Sequence, residues 1–236
     1  MIQVRNLTKK YSGFRALNDL SFTVEPNRFA VFLGSNGSGK STLFRCLSGI
    51  TDYEGDIKVA GDDPIDNGKS VRSKIGFMSQ FCGLHSDLTI DETMKFYSSL
   101  RKIKNGNYDD MLKRSSLIER KSDKVGSLSG GMKQRLLFII SLLGNPEILI
   151  LDEPLASLDL ASFKLLIQWL KELKESGKTI LVSTHLGHEI HSLADQFIVL
   201  DEGRIGNQPV SDFLNIYKTQ NEEPCKILSI DQTGTY

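Results

Sequence analysis

The densest chemistry in this sequence is the run Gly34-Ser35-Asn36-Gly37-Ser38-Gly39-Lys40-Ser41, followed by Thr42. It matches the G-x-x-x-x-G-K-[ST] pattern in full. Glycines let a backbone wrap closely and turn consecutive N–H groups toward phosphate oxygens. A helix beginning there adds its partial positive charge. Lys40 brings a cation that reaches β- and γ-phosphates, and the Ser41 hydroxyl is a ligand for Mg²⁺. A glycine-rich turn can simply join a strand to a helix. Here, however, the full pattern follows the apolar run Phe29–Leu33 and precedes Ser41-Thr-Leu-Phe-Arg-Cys-Leu, whose apolar residues recur at helical spacing. That context favours nucleotide binding.

Two acids close another apolar run, Ile148-Leu-Ile-Leu151-Asp152-Glu153. Ligands of parallel sheets gather at the carboxyl ends of strands, so both acids fall within reach of a nucleotide. Asp152 suits a Mg²⁺ ion, held directly or through water, and Glu153 suits the orientation and deprotonation of an attacking water. His185 ends a third apolar run, Thr179-Ile-Leu-Val-Ser-Thr-His185, where an imidazole can meet a γ-phosphate or that water. A lone histidine after a strand is more often a satisfied polar residue, so its type alone does not assign it. His85, His188 and His191 read as surface residues.

The elements that must position these groups follow from periodicity. Strands are expected at Phe29–Leu33, Asp56–Ala60, Lys74–Met78, Ile148–Leu151, Thr179–Ser183 and Gln196–Leu200, the last leading through Asp201-Glu-Gly203 into a turn. Residues before Phe29 read as short strands and turns. Thr89-Ile-Asp-Glu92 has the form of a capping box, opening a polar helical segment that extends to about Leu117. A helix from Met132 to Leu143 stops at the Gly144-Asn145-Pro146 breaker, and an amphipathic helix covers about Leu158 to Glu175. Strands alternating with helices indicate an α/β fold with a mostly parallel sheet flanked by helices.

Bulk composition is that of an ordinary globular protein. Among 236 residues, 39% are hydrophobic and 25% charged, and the 29 basic and 29 acidic side chains cancel. A balanced charge argues against nucleic acid as a partner, because such binders carry a basic excess. Cys46, Cys82 and Cys225 are scattered without metal-ligand spacing, which fits free thiols in a reducing compartment. The opening residues lack the pattern of a signal peptide, and Leu136–Leu143 is too short to span a bilayer. Any membrane-spanning part is therefore expected in another chain.

The segment Leu128-Ser129-Gly130-Gly131-Met132-Lys133-Gln134-Arg135 separates this chain from other phosphate-loop proteins. It resembles the LSGGQ signature of the ABC ATPases, with Met132 where Gln is usual. Ser129 and two glycines opening a helix make a further anion site of exposed N–H groups, although an ordinary Ser-capped helix would look the same. Other family motifs follow in order. Tyr11 lies where an aromatic residue stacks on adenine, and Gln80 where a glutamine meets Mg²⁺ and reports to the transporter. Ser157-Leu158-Asp159 resembles the D-loop at the dimer seam. His185 falls at the switch histidine, which raises its standing. Leu155 and Ser157 stand where Thr and Gly are frequent, and neither change removes a group the chemistry needs.

The resemblance implies a P-loop NTPase core, an N-terminal antiparallel β subdomain and an inserted small α-helical subdomain. The core with its β subdomain is expected over 1–86 and 132–220, the helical subdomain over 87–131, and a tail over 221–236. It further implies ATP and Mg²⁺ as ligands and a head-to-tail homodimer. In that dimer Ser129, Gly130 and Gly131 of one chain complete the other chain's site. Polytopic membrane permease subunits are the implied partners, with the chain cytoplasmic and peripheral on the inner face of the cell membrane. The LSGGM-K-Q-R variant looks like ATPases paired with ABC-2-type exporters, and the few residues after His185 also favour export. The alternative is a soluble ABC ATPase, such as an iron–sulfur cluster assembly factor.

Overall fold

Apolar residues alternate through Ile2, Val4 and, after a shift, Leu7, and all three are buried. They lie on β1 (Ile2–Tyr11), which pairs antiparallel with β2 (Phe14–Val24) and β4 (Glu54–Val59) in a sheet of order β2-β1-β4. These first strands run 10 and 11 residues, longer than the short strands expected. What reads in sequence as turns is absorbed by register shifts that leave the ladder intact, with Asn6 at φ 49° in one of them. The computed structural model describes residues 1–80, 83–103, 108–156, 158–184 and 188–206, without the side chains of His188 and Glu189.

The second sheet holds β3 (Phe29–Leu33), β5 (Ile75–Met78), β6 (Ile148–Asp152), β7 (Thr179–Ser183), β8 (Gln196–Asp201) and β9 (Arg204–Ile205). Their order is β5-β6-β7-β3-β8-β9, parallel throughout except for the β8–β9 hairpin at Asp201-Glu-Gly203. Both faces are buried, which is why β3, β6 and β7 are continuous apolar runs. Phe29, Val31 and Leu33 enter one core; Ala30 and Phe32 enter the other. The second core joins the two sheets and α1 (Lys40–Leu47), with Phe32 edge-on to Phe44 at 5.2 Å. The first core is closed by α5 (Gly130–Ser141) and α6 (Leu160–Glu175), where Phe138 meets Trp169 edge-on at 5.3 Å.

Helix α2 (Gly68–Lys74) is not among the expected elements. Val71 is its one buried apolar side chain, so no periodic signal exists to read. Helices α5 and α6 begin at Gly130 and Leu160, each within two residues of the expected start. His191 is also not a plain surface residue: it is half-buried, its ring 5.6 Å from Phe197.

The polar segment forms α3 (Ile90–Leu100), α4 (Asp109–Arg114) and two 3-10 turns, Ile118–Arg120 and Val125–Ser127. The Thr89 capping box is present: its hydroxyl accepts from Glu92 N at 3.1 Å, and Glu92 accepts from Thr89 N at 2.8 Å. Asp91 ties the lobe together, accepting from Tyr108 Oη at 2.8 Å and pairing with Lys121 at 3.3 Å. Arg135 on α5 donates to Ser115 O at 2.7 Å, which fixes the signature helix to the lobe. Replacing Thr89 by Ala removes one reciprocal pair and should cost about 1 kcal/mol. The expected result is a thermal midpoint lower by roughly 2–4 °C; an unchanged midpoint would show that the cap contributes nothing.

Candidate functional site

The phosphate loop can adopt its path only with glycine at fixed points. A Cβ on Gly39, at φ 107°, would lie 2.8 Å from the Ala16 carbonyl oxygen. One on Gly34 would lie 2.4 Å from the Leu200 oxygen and 2.5 Å from Ser38 Oγ. The β8–β9 turn braces the loop from outside, with Gly203 N donating to Ser38 O at 3.0 Å. Helices α3, α5 and α6 are capped by the side chains of Thr89, Ser129 and Asp159; α1 has no side-chain cap and no acid in its first turn. Its first N–H groups lack intrahelical acceptors and face the cleft, which makes this helix start a place for an anion.

Lys40 is almost wholly buried, at 6% exposure. Its ammonium donates to Gly34 O at 2.7 Å and Ser35 O at 3.0 Å, and stands 4.0 Å from Glu153 Oε1. Burial lowers its pKa, while the nearby Glu153 and Asp152 carboxylates act in the opposite direction. Incoming phosphate oxygens would give this cation stronger partners than two carbonyls.

The two acids are placed by strand register. Asp152 is opposite Ser183 on β7, and the Ser183 hydroxyl donates to Asp152 Oδ1 at 2.6 Å. The same hydroxyl accepts from Glu153 N at 2.9 Å. Glu153 has left-handed backbone, φ 49°, a state costing a non-glycine residue about 1–3 kcal/mol and found at functional sites. Both acids are buried, and of the two Glu153 lines the cleft.

The cleft has a volume near 340 Å³, within the ordinary range for small-molecule sites. It gathers Tyr11, Asn36, Gly37, Ser38, Gly39, Lys40, Ser41, Thr42, Gln80 and Glu153 from the expected set. Tyr11 is 39% exposed, and Lys9 Nζ lies 4.7 Å from its ring centre. Ser35 contributes its carbonyl to Lys40 but does not line the cleft, and Asp152 is held one layer below. Ser129, Gly130, Gly131 and Asp159 are exposed or half-buried and outside this lining. Ser129 caps α5 through Met132 N at 3.2 Å; Asp159 caps α6, and the Ser162 N–H it accepts lowers its pKa. His185 and Ser157 lie outside the described residues, as does the tail 221–236.

Sequence reasoning missed Phe14 and Ala16 in the cleft wall and Ser183 under the acids. Phe14, 67% exposed in a polar stretch, is a signal that could have been read. Ser183 needed the β6–β7 register, which no motif states.

A family profile described as ABC transporter matches residues 17–156. The chain is 36% identical over 208 residues to an uncharacterized ABC transporter ATP-binding protein of Methanocaldococcus jannaschii, covering 86% of this chain and 75% of that one. It is also 36% identical to the Nod factor export ATP-binding protein I of Rhizobium johnstonii, over 86% and 67% of the two chains. Among solved structures, an ATP-binding subunit of an ABC transporter superposes with TM-score 0.81 at 25% identity, covering 94% and 95%. A dimeric ATP-binding cassette in a post-hydrolysis state with ADP and Pi gives TM-score 0.80 at 27% identity, covering 89% and 98%.

The cleft makes a direct prediction about Lys40. With ATP at about a hundred times Kd, the wild-type chain should gain about 2.7 kcal/mol of stability. That corresponds to a midpoint raised by roughly 5–10 °C. Lys40→Ala should remain folded by circular dichroism and show almost none of this shift; a shift equal to wild type would remove Lys40 from the nucleotide site.

Proposed function

This chain belongs to the ABC transporter ATP-binding family, and from that premise we propose that it is the ATP-hydrolysing subunit of a membrane exporter, working as a head-to-tail pair. One observation carries the pairing. Ser129-Gly130-Gly131 opens α5 as an anion-binding helix start, yet these residues do not line their own chain's cleft. The phosphates they would meet therefore belong to a second copy, in keeping with the dimeric cassette described above.

ATP enters the cleft with its base against Tyr11 and its phosphates along the backbone from Asn36 to Thr42, Ser35 supporting the turn. Lys40 exchanges the Gly34 and Ser35 carbonyls for β- and γ-phosphate oxygens. Ser41 and Gln80 in the cleft lining offer hydroxyl and amide oxygens and the buried Asp152 a carboxylate, a hard donor set that fits Mg²⁺. Mg²⁺ held there would supply charge neutralisation to the triphosphate. Glu153 takes a proton from the attacking water, and His185, by its place in the family pattern, assists at the γ-phosphate. Ser129, Gly130 and Gly131 of the other copy close the site, while Asp159 lies along the seam. Loss of the γ-phosphate removes the charge that held the two copies together, and the pair opens.

No described helix is long and apolar enough to cross a membrane, so the transport path is assigned to polytopic permease subunits. The chain would then be cytoplasmic and bound to the inner face of the cell membrane through them. The face around Gln80 and the helical lobe would carry the opening motion to those subunits. Export is favoured by the Nod factor export relatives. Neither these relatives nor the structural neighbours support an iron–sulfur assembly role.

The substitution Glu153→Gln keeps the shape of the side chain and removes the base. It should leave ATP affinity within about twofold of wild type and lower kcat by roughly 10²–10⁴. ATP should also hold the variant as a dimer in size-exclusion chromatography. Turnover at the wild-type rate would take the role of base away from Glu153.

A further inference from the structure

Glu153 is held by its backbone as much as by its side chain. Its left-handed N–H is accepted by Ser183, and its carbonyl accepts from two donors. One is Ala156 N at 3.2 Å, the closing bond of a local turn. The other is Gln134 Nε2 at 2.8 Å, which comes from the second turn of α5. This places a side chain of the signature helix directly on the peptide that carries the proposed base. Gln134 is half-buried and Ala156 N still serves the carbonyl without it, so the fold does not depend on this amide.

We propose that Gln134 is a positioning residue for Glu153, tying the carboxylate of one site to the helix that meets the nucleotide of the other. The inference rests on the reading of Glu153 as the base. The N–H side of Glu153 is fixed twice, by Ser183 Oγ at 2.9 Å and Ser183 O at 3.2 Å, so the rotation left to restrain is that of the following peptide, whose nitrogen belongs to Pro154 and offers no donor. Gln134 supplies a second bond to that peptide's carbonyl, beside the one from Ala156 N, and so limits that rotation. Because Gln134 lies five residues after Ser129 on one rigid helix, a phosphate gripped at Ser129-Gly130-Gly131 and the Glu153 carbonyl share one body. Closure on the partner's ATP thereby sets the geometry of this chain's own base.

The test compares Gln134→Leu and Gln134→Glu in the full chain, at a protein concentration where the wild type hydrolyses ATP. Leu keeps the bulk and removes the donor. Glu keeps the shape but donates only when protonated; when ionised it repels the carbonyl. Expected for Gln134→Leu is a kcat about tenfold lower at every pH, with KM for ATP and the thermal midpoint unchanged. Gln134→Glu should be at least as slow near neutral pH, and its rate relative to wild type at the same pH, a ratio in which protonation of Glu153 is common to both, should recover as pH falls toward the range of a carboxyl group. A Gln134→Leu rate within about twofold of wild type would overturn the proposal. So would a Gln134→Glu deficit that ignores pH. Glu153→Gln in the same assay separates the layers: if it turns over normally, the base assignment fails and takes this inference with it. If it is inactive beside a normal Gln134→Leu, only the positioning role fails.

Discussion

An ammonium group buried beside two carboxylates is the constraint on which this structure turns. Taking a charge out of water is costly unless it is paired and hydrogen-bonded. Lys40 meets that demand through the carbonyls of Gly34 and Ser35 and through Glu153 at 4.0 Å. Those carbonyls point inward because Gly34 and Gly39 accept a backbone path that a Cβ would block. Lys40 is thus held by the loop's own carbonyls, partners weaker than phosphate. That difference is what ATP can draw upon when it binds, and its loss on hydrolysis is what lets the site relax.

The sheet exists to keep these charges in place. Parallel pairing brings the carboxyl ends of β3, β6 and β7 to one edge, so the phosphate loop, the acids and Ser183 arrive together although far apart in sequence. Burial of both faces makes the register costly to change, since a one-residue slip would exchange Phe29, Val31 and Leu33 with Ala30 and Phe32 between two differently shaped cores. The helical lobe shares the first core through Ile90, Met94, Leu112, Leu117 and Val125, and capping, the Asp91 contacts and Arg135 add polar fastenings to it.

Much of this was legible in the sequence where one local rule decides the outcome. Continuous apolar runs marked the strands of the parallel sheet, the Thr89 box marked the start of α3, and the glycine-lysine pattern marked the loop. The extent of β1 and β2 was not legible, because bulges imitate turns when partner strands are unseen. Helix α2 escaped because a lone buried valine has no period. In the site, residues belonging to motifs were found by type and order. Ser183, Phe14 and the bond from Gln134 to Glu153 depend on register and helix placement, which single-sequence patterns do not encode.

The central claim is that one chain's cleft is incomplete until the signature of a second copy closes it. The most direct measurement is the specific rate of Mg-dependent ATP hydrolysis as a function of protein concentration, with size-exclusion chromatography fixing where the chain is monomeric. A rate per chain that rises with concentration, and levels off as dimer forms, is the predicted result. A constant rate per chain across the monomeric range would contradict the account, because a cleft that hydrolyses ATP alone needs no second signature.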